Sequence, residues 1–131
     1  MKRRDYLKTM LAGGASVAAI SAFAAAPNPI VLEVDLAVDP SREKEMLDNF
    51  HKIFKPAAVK FPGYIDVKIL KLRSALMGQA PAGLNYRFQL VYQSEELRQK
   101  WVASDVHQKA WPTIEKTLSS KDYRVLLFDV A

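Results

Sequence analysis

From Ile30 to Val130 the hydrophobic period of this chain changes between two residues and about 3.6, in the order strand, helix, strand, strand, helix, strand. That order leaves few ways to close a core. Ile30–Val38 alternates, with Leu32, Val34, Leu36 and Val38 on one face and Glu33 and Asp35 on the other. Asp39-Pro40 is a helix start: a short polar acceptor at the cap, then a ring whose missing N–H has no partner to lose there. Met46, Leu47, Phe50, Ile53, Phe54 and Ala57 follow at helical spacing. Pro56 is expected to bend or interrupt this helix, and Phe61-Pro62-Gly63 to stop it.

Tyr64–Arg73 is the second expected strand, with Ile65, Val67 and Ile69 opposite Asp66, Lys68, Leu70 and Leu72. Ser74–Asn85 holds Gly78, Pro81 and Gly83 and reads as a long hairpin loop. Tyr86–Gln93 sets Tyr86, Phe88, Leu90 and Tyr92 against Arg87, Gln89 and Val91. Ser94 caps a second helix that runs to about Ser104, with Glu95 and Glu96 near the positive end of its dipole. Asp105 is expected to cap a continuation through His107 and Trp111, disturbed at Pro112. Asp122–Val130 is the last strand, and Val125, Leu126, Leu127 and Phe128 make it apolar on both faces.

This order is β-α-β-β-α-β, an α+β chain with the ferredoxin-like arrangement. Both helices belong on one face of a four-stranded antiparallel sheet. Strands three and four carry more apolar side chains than one covered face uses. A second copy of the sheet is the simplest cover for the other face, which predicts a symmetric homodimer.

Ahead of this domain, Arg3-Arg4-Asp5-Tyr6-Leu7-Lys8 precedes small and apolar residues ending in Ala22-Phe23-Ala24-Ala25-Ala26. The segment resembles a twin-arginine (Tat) export signal, an address read by the export machinery and not a part of the fold. Met10–Ala26 is short and weak beside the roughly 20 strongly apolar residues of a membrane span. Cleavage is expected after Ala24, because cleavage after Ala26 sets Pro27 beside the scissile bond; an uncleaved anchor is the rival reading. The chain then divides into a signal (1–24), a linker (25–29) and one domain (30–131). The resemblance implies a periplasmic or secreted protein that folds before export.

Lys2, Arg3, Arg4 and Lys8 against Asp5 supply +3 of the net charge of +5, leaving +2 for everything else. No basic cluster with interleaved aromatics remains, so nucleic acid is not an expected partner. The chain has no Cys, which excludes disulfides, thiolate metal sites and a lipid-anchored cysteine. The domain of about 105 residues buries only about two-thirds of its surface by itself, and pairing would add to that.

Phe54-Lys55-Pro56-Ala57-Ala58 with Phe61-Pro62-Gly63-Tyr64, and Ser94-Glu95-Glu96-Leu97 with Trp101-Val102-Ala103-Ser104-Asp105-Val106-His107-Gln108 and Trp111, resemble antibiotic biosynthesis monooxygenase (ABM) domains. The resemblance spans Ile30–Val130 and implies a dimeric α/β barrel. It also implies a small pocket between helices and sheet, where electron-rich aromatics are oxygenated, often with no metal or flavin. No cofactor is then expected. A deprotonated phenol or quinol can reduce O₂ by itself once a base, an oxyanion donor and aromatic walls surround it.

The residues available for that chemistry are His107 and Arg87, as base and charge stabiliser, with Tyr64, Tyr86, Tyr92, Trp101, Trp111 and His51 as walls or secondary groups. Each has a structural rival: the tryptophans as core, His107 as a bridge across the helix break, His51 as a solvated residue, Arg87 as a group facing the dimer interior. Tyr123 and Arg124 read as structural. One subgroup of the family degrades haem with an Asn on the first strand, a Trp on the second helix and a His ten residues later. Here those positions are Val34, Trp101 and Trp111, so haem is not expected. No ligand set accompanies His107 at metal-site spacing. Two functions stand at this point: a cofactor-independent monooxygenase or quinol oxidase, and a non-catalytic ligand-binding or stress-related dimer on the same fold.

Overall fold

The computed structural model describes residues 28–131. The export signal with Arg3 and Arg4, the cleavage position and the start of the linker lie outside the described residues. Four strands, β1 (Ile30–Leu36), β2 (Tyr64–Lys71), β3 (Tyr86–Tyr92) and β4 (Arg124–Asp129), form one antiparallel sheet in the order β2-β3-β1-β4. The helices are α1 (Glu43–Asn49), α2 (Lys55–Val59), α3 (Glu95–Ala103) and α4 (Asp105–Glu115). This is the ferredoxin-like α+β fold expected from the element order.

The first helical segment opens as the sequence suggests. The Asp39 carboxylate accepts from the Ser41 backbone N–H at 2.9 Å, and Pro40 begins a 3₁₀ turn that leads into α1. The regular α-helix is interrupted just ahead of Pro56, as expected, and restarts with Pro56 in its first turn. A π turn, Phe50–Phe54, joins α1 to α2, and the Lys55 N–H bonds the Phe50 carbonyl five residues back. The widened turn sits directly before a ring that in a regular helix meets the carbonyl four residues earlier. It also explains which side chains are buried. Met46, Phe50, Phe54 and Ala58 form the core stripe at a strict spacing of four. In a regular helix that spacing drifts by about 120° over three steps, and the one extra residue of a π turn takes back about 100°. Ile53, assigned to the core by periodicity, is turned outward and 43% exposed.

Other expectations are corrected in detail. Ser104, not Asp105, caps α4: its Oγ accepts from the His107 N–H at 3.2 Å and donates to the Trp101 carbonyl at 2.7 Å. Asp105 is the first residue of that helix. At Pro112, where a disturbance is expected, α4 continues unbroken, and the Lys116 N–H bonds the Pro112 carbonyl at 3.0 Å. In β2 the pairing register shifts between Tyr64 and Asp66, so Ile65 leaves the inner face and is exposed. Gly63 does stop the first helical segment, at φ +96°, and a Cβ there would lie 2.8 Å from the Leu97 Cβ on α3. Only glycine fits both that backbone and that contact.

Tyr86, Phe88, Leu90 and Tyr92 of β3 are all buried under the helices with Ile30, Val34 and Leu36 of β1. Among the described residues, no helix covers the opposite face. Its centre is polar: Asp35 bonds Arg87 on one side (Nε–Oδ1 2.6 Å) and Arg124 on the other (Nη2–Oδ2 2.8 Å), and Gln89 donates to Glu33 at 2.9 Å. The expected apolar surplus of β3 is therefore absent, since its outer side chains are Arg87, Gln89 and Val91. The surplus lies on β4, whose Val125, Leu126, Leu127 and Phe128 are 39–50% exposed on both faces of an edge strand.

Candidate active site

The break at Ser104 is what assembles the site. It ends α3 just after Trp101 and starts α4 just before His107, bringing the two rings to 5.1 Å in an edge-on contact. One helical turn on, Trp111 lies nearly parallel to His107, with interplanar angle 9° and centroids 6.5 Å apart. Phe54, from the π turn, meets Phe88, Trp101, Trp111 and His107 edge-on at 5.0–6.2 Å. Edge-on packing sets the positive ring edges against negative faces, the favoured geometry for such clusters.

These rings wall a cavity of about 190 Å³ between α3, α4 and the β1–β4 side of the sheet. A cavity of roughly 150 Å³ suffices to hold a benzene ring. The walls are Phe54, Phe88, Trp101 and Trp111 with aliphatic residues of β1, β3 and β4, and the polar groups are Arg98, His107 and Tyr123. β4 leaves the side at Val125 half open.

His107 Nδ1 is buried and has no hydrogen-bond partner among the described residues. Burial, with a smaller push from the Arg98 charge, holds its pKa below the usual histidine value. The imidazole therefore favours its neutral form, and its ring borders the cavity. Tyr123 is held between two partners: its hydroxyl accepts from Trp111 Nε1 at 3.1 Å and donates to Glu115 Oε2 at 2.8 Å. Burial raises its pKa, so it stays a phenol.

Of the residues singled out from the sequence, His107, Trp101 and Trp111 come together here. Arg87 does not join them: it lies across the sheet, tied to Asp35 and near Glu33. His51 is exposed in an open groove near Tyr86, on the far side of the first helical segment. Tyr86 donates to Glu43, which also pairs with Lys71 at 2.8 Å. Tyr64 and Tyr92 pair at the other end of β2 and β3; the Tyr92 hydroxyl is buried with no partner among the described residues, and burial raises its pKa. None of these four borders the cavity. Arg98 and Tyr123 border it without having been singled out for it. Arg98 precedes Trp101 by three residues, a spacing that shares a helix face. Tyr123 precedes Val125 by two in an extended run, the spacing that shares a sheet face.

Among the described residues, no three His, Cys, Asp or Glu side chains gather where they could hold a metal ion. No described helix is long and apolar enough to cross a membrane.

No family model matches the sequence, and no curated protein matches it either. Solved structures do match the fold. A candidate antibiotic biosynthesis monooxygenase from Caulobacter crescentus aligns at TM-score 0.63 and 16% identity, over 80% of this chain and 92% of that one. A dimeric ferredoxin-like protein of unknown function from Jannaschia sp. aligns at 0.66 and 15%, over 78% and 99%. A second candidate monooxygenase of this type, from Bordetella bronchiseptica, aligns at 0.64 and 12%, over 79% and 98%. At these identities the likeness establishes the shared fold.

Proposed function

We propose that this chain is an exported, cofactor-independent monooxygenase or quinol oxidase of the ABM type, acting as a homodimer on small electron-rich aromatics. The observation that carries the reading is the His107 imidazole, a base that borders a ring-sized cavity walled by aromatic rings. Such a base takes the hydroxyl proton of a bound phenol or quinol, and the apolar walls keep water from most of the anion that forms. A quinolate passes two electrons to O₂; with its second proton lost as well, the products are quinone and hydrogen peroxide. Where oxygen is inserted instead, one oxygen atom enters the substrate and the other leaves as water, the substrate supplying the electrons.

Export is supported by the Arg3-Arg4 segment, and a dimer by the exposed apolar β4 and by the dimeric proteins that share the fold. Oxygen uptake with a hydroquinone series tests the activity. Uptake above the buffer rate is expected, with a fall of about 10²-fold or more in His107→Ala, the usual scale for a general base. Aromatic binding with no oxygen uptake would leave the non-catalytic reading standing. For export, replacing Arg3 and Arg4 by Lys is expected to retain the chain in the cytoplasm, and amino-terminal sequencing of the exported form is expected to begin at Ala25.

A further inference from the structure

The cavity holds a cation that the base does not account for. Arg98 borders it, with its side chain only 18% exposed, in walls that are otherwise almost wholly apolar. Glu95, one turn earlier on α3, grips one edge of the guanidinium: Nε–Oε1 is 2.6 Å and Nη2–Oε2 is 2.8 Å. A guanidinium carries five N–H donors. The fork uses two, and no other partner for the remaining three is present among the described residues. Glu95 therefore fixes the plane of the group and leaves its other edge unspent. The charged and titratable groups around it are Glu95 on its own helix, His107 on α4 and Tyr123 ahead of β4, with Tyr123 already committed to Trp111 and Glu115.

We propose that Arg98 selects the anion. The site takes a phenol or hydroxyaromatic and holds it as the phenolate, with the oxygen toward the free edge of the guanidinium and the proton on the His107 imidazole. This rests on the reading of the cavity as an aromatic site and deepens it by naming the ligand's ionisation state. A base alone in an apolar pocket makes a poor acceptor, because the pair it creates has left water. A fixed donor edge at the developing oxygen offsets that cost, and it is strong where water is excluded. Proton and charge balance are kept: the ligand loses one proton, His107 gains one, and nothing is oxidised in this step.

para-Nitrophenol is the probe, since its phenolate is yellow and its phenol is nearly colourless in the visible. The purified full chain is titrated with it at a pH where free probe is mostly protonated. Quenching of Trp101 and Trp111 reports binding, and the visible band reports ionisation. The bound probe is expected to turn yellow, with its apparent pKa at least one unit lower than in water, roughly a tenfold preference for the anion. Arg98→Met is expected to lose that preference while tryptophan quenching persists; Arg98→Lys is expected to restore part of it. Quenching without yellow colour in the unmodified chain overturns the proposal and leaves the aromatic site intact. No quenching by any hydroxyaromatic overturns the reading of the cavity itself. The colour of the unmodified chain decides the matter even where a substituted chain fails to fold.

Discussion

On one face of the sheet, Tyr86, Phe88, Leu90 and Tyr92 lie closed beneath the helices; on the other, their sequence neighbours Arg87 and Gln89 bond to Asp35 and Glu33 with no described helix above them. The covered face is fixed by packing, and its cavity is a gap among rings that support one another. The open face is fixed by paired charges at the centre, with apolar side chains left over along β4. A buried aromatic face has one dense arrangement, so a site can be held there to fractions of an ångström. Exposed ion pairs contribute little to stability but discriminate between partners. The chemistry is accordingly expected on the covered face, and association on the open one.

The largest effect should come from the centre of the covered face. Phe54→Ala is expected to cost about 3–5 kcal/mol in chemical denaturation, the range for a buried phenylalanine whose surroundings cannot collapse. A loss below about 1 kcal/mol would mean that the ring cluster is not the keystone described above. Gly63→Ala comes next. It combines positive φ with a Cβ 2.8 Å from Leu97 and should cost about 1–3 kcal/mol while pushing α3 off the sheet. Tryptophan fluorescence, through Trp101, should register that shift.

The two faces should also titrate apart. His107 has a lowered pKa in the folded state. The unfolded chain then binds the proton first, so stability falls as pH drops through the ordinary histidine range near 6.5, down to the folded value. His107→Gln should remove that slope. Asp35 on the open face has a lowered pKa too: burial acts to raise it, but Arg87 and Arg124 outweigh burial. Its contribution is present above the ordinary carboxylate range and lost as pH falls through the folded value, which Asp35→Asn should flatten. Denaturation midpoints against pH would separate the two windows, and a single shared window would break the division between faces.

The smallest effect on the fold should come from Phe128→Glu, within about 0.5 kcal/mol for an exposed edge residue. Sedimentation at micromolar concentration should nonetheless shift from dimer to monomer. An unmodified chain that sediments as a monomer would remove association from the open face.

Much of the fold was legible because it follows from local pattern. Alternation in β1 and β3, the Asp39 and Ser94 caps and the Gly63 stop each report a local backbone requirement. Ile53 and Ile65 were misplaced for one physical reason. Each sits beside an extra residue, in the π turn or at the register shift of β2, and one extra residue rotates everything near it. Within the site, His107, Trp101 and Trp111 could be found because one short segment carries all three. Arg98 and Tyr123 arrive from another turn of α3 and from the approach to β4, and only packing brings them to the same cavity. Arg87 shows the converse, a candidate by residue type that alternation alone places on the other face.

By itself, then, the sequence determined the order of strands and helices, the caps at Asp39 and Ser94, the stop at Gly63, and the aromatic content of the second helical region. These depend on period and on backbone chemistry within a few residues. The tertiary structure decided which cation faces the base, that the proline in the first helical segment is absorbed by a π turn, and that the apolar surplus lies on β4. Those outcomes turn on how distant segments meet, where a rotation of one residue decides between the core and the surface.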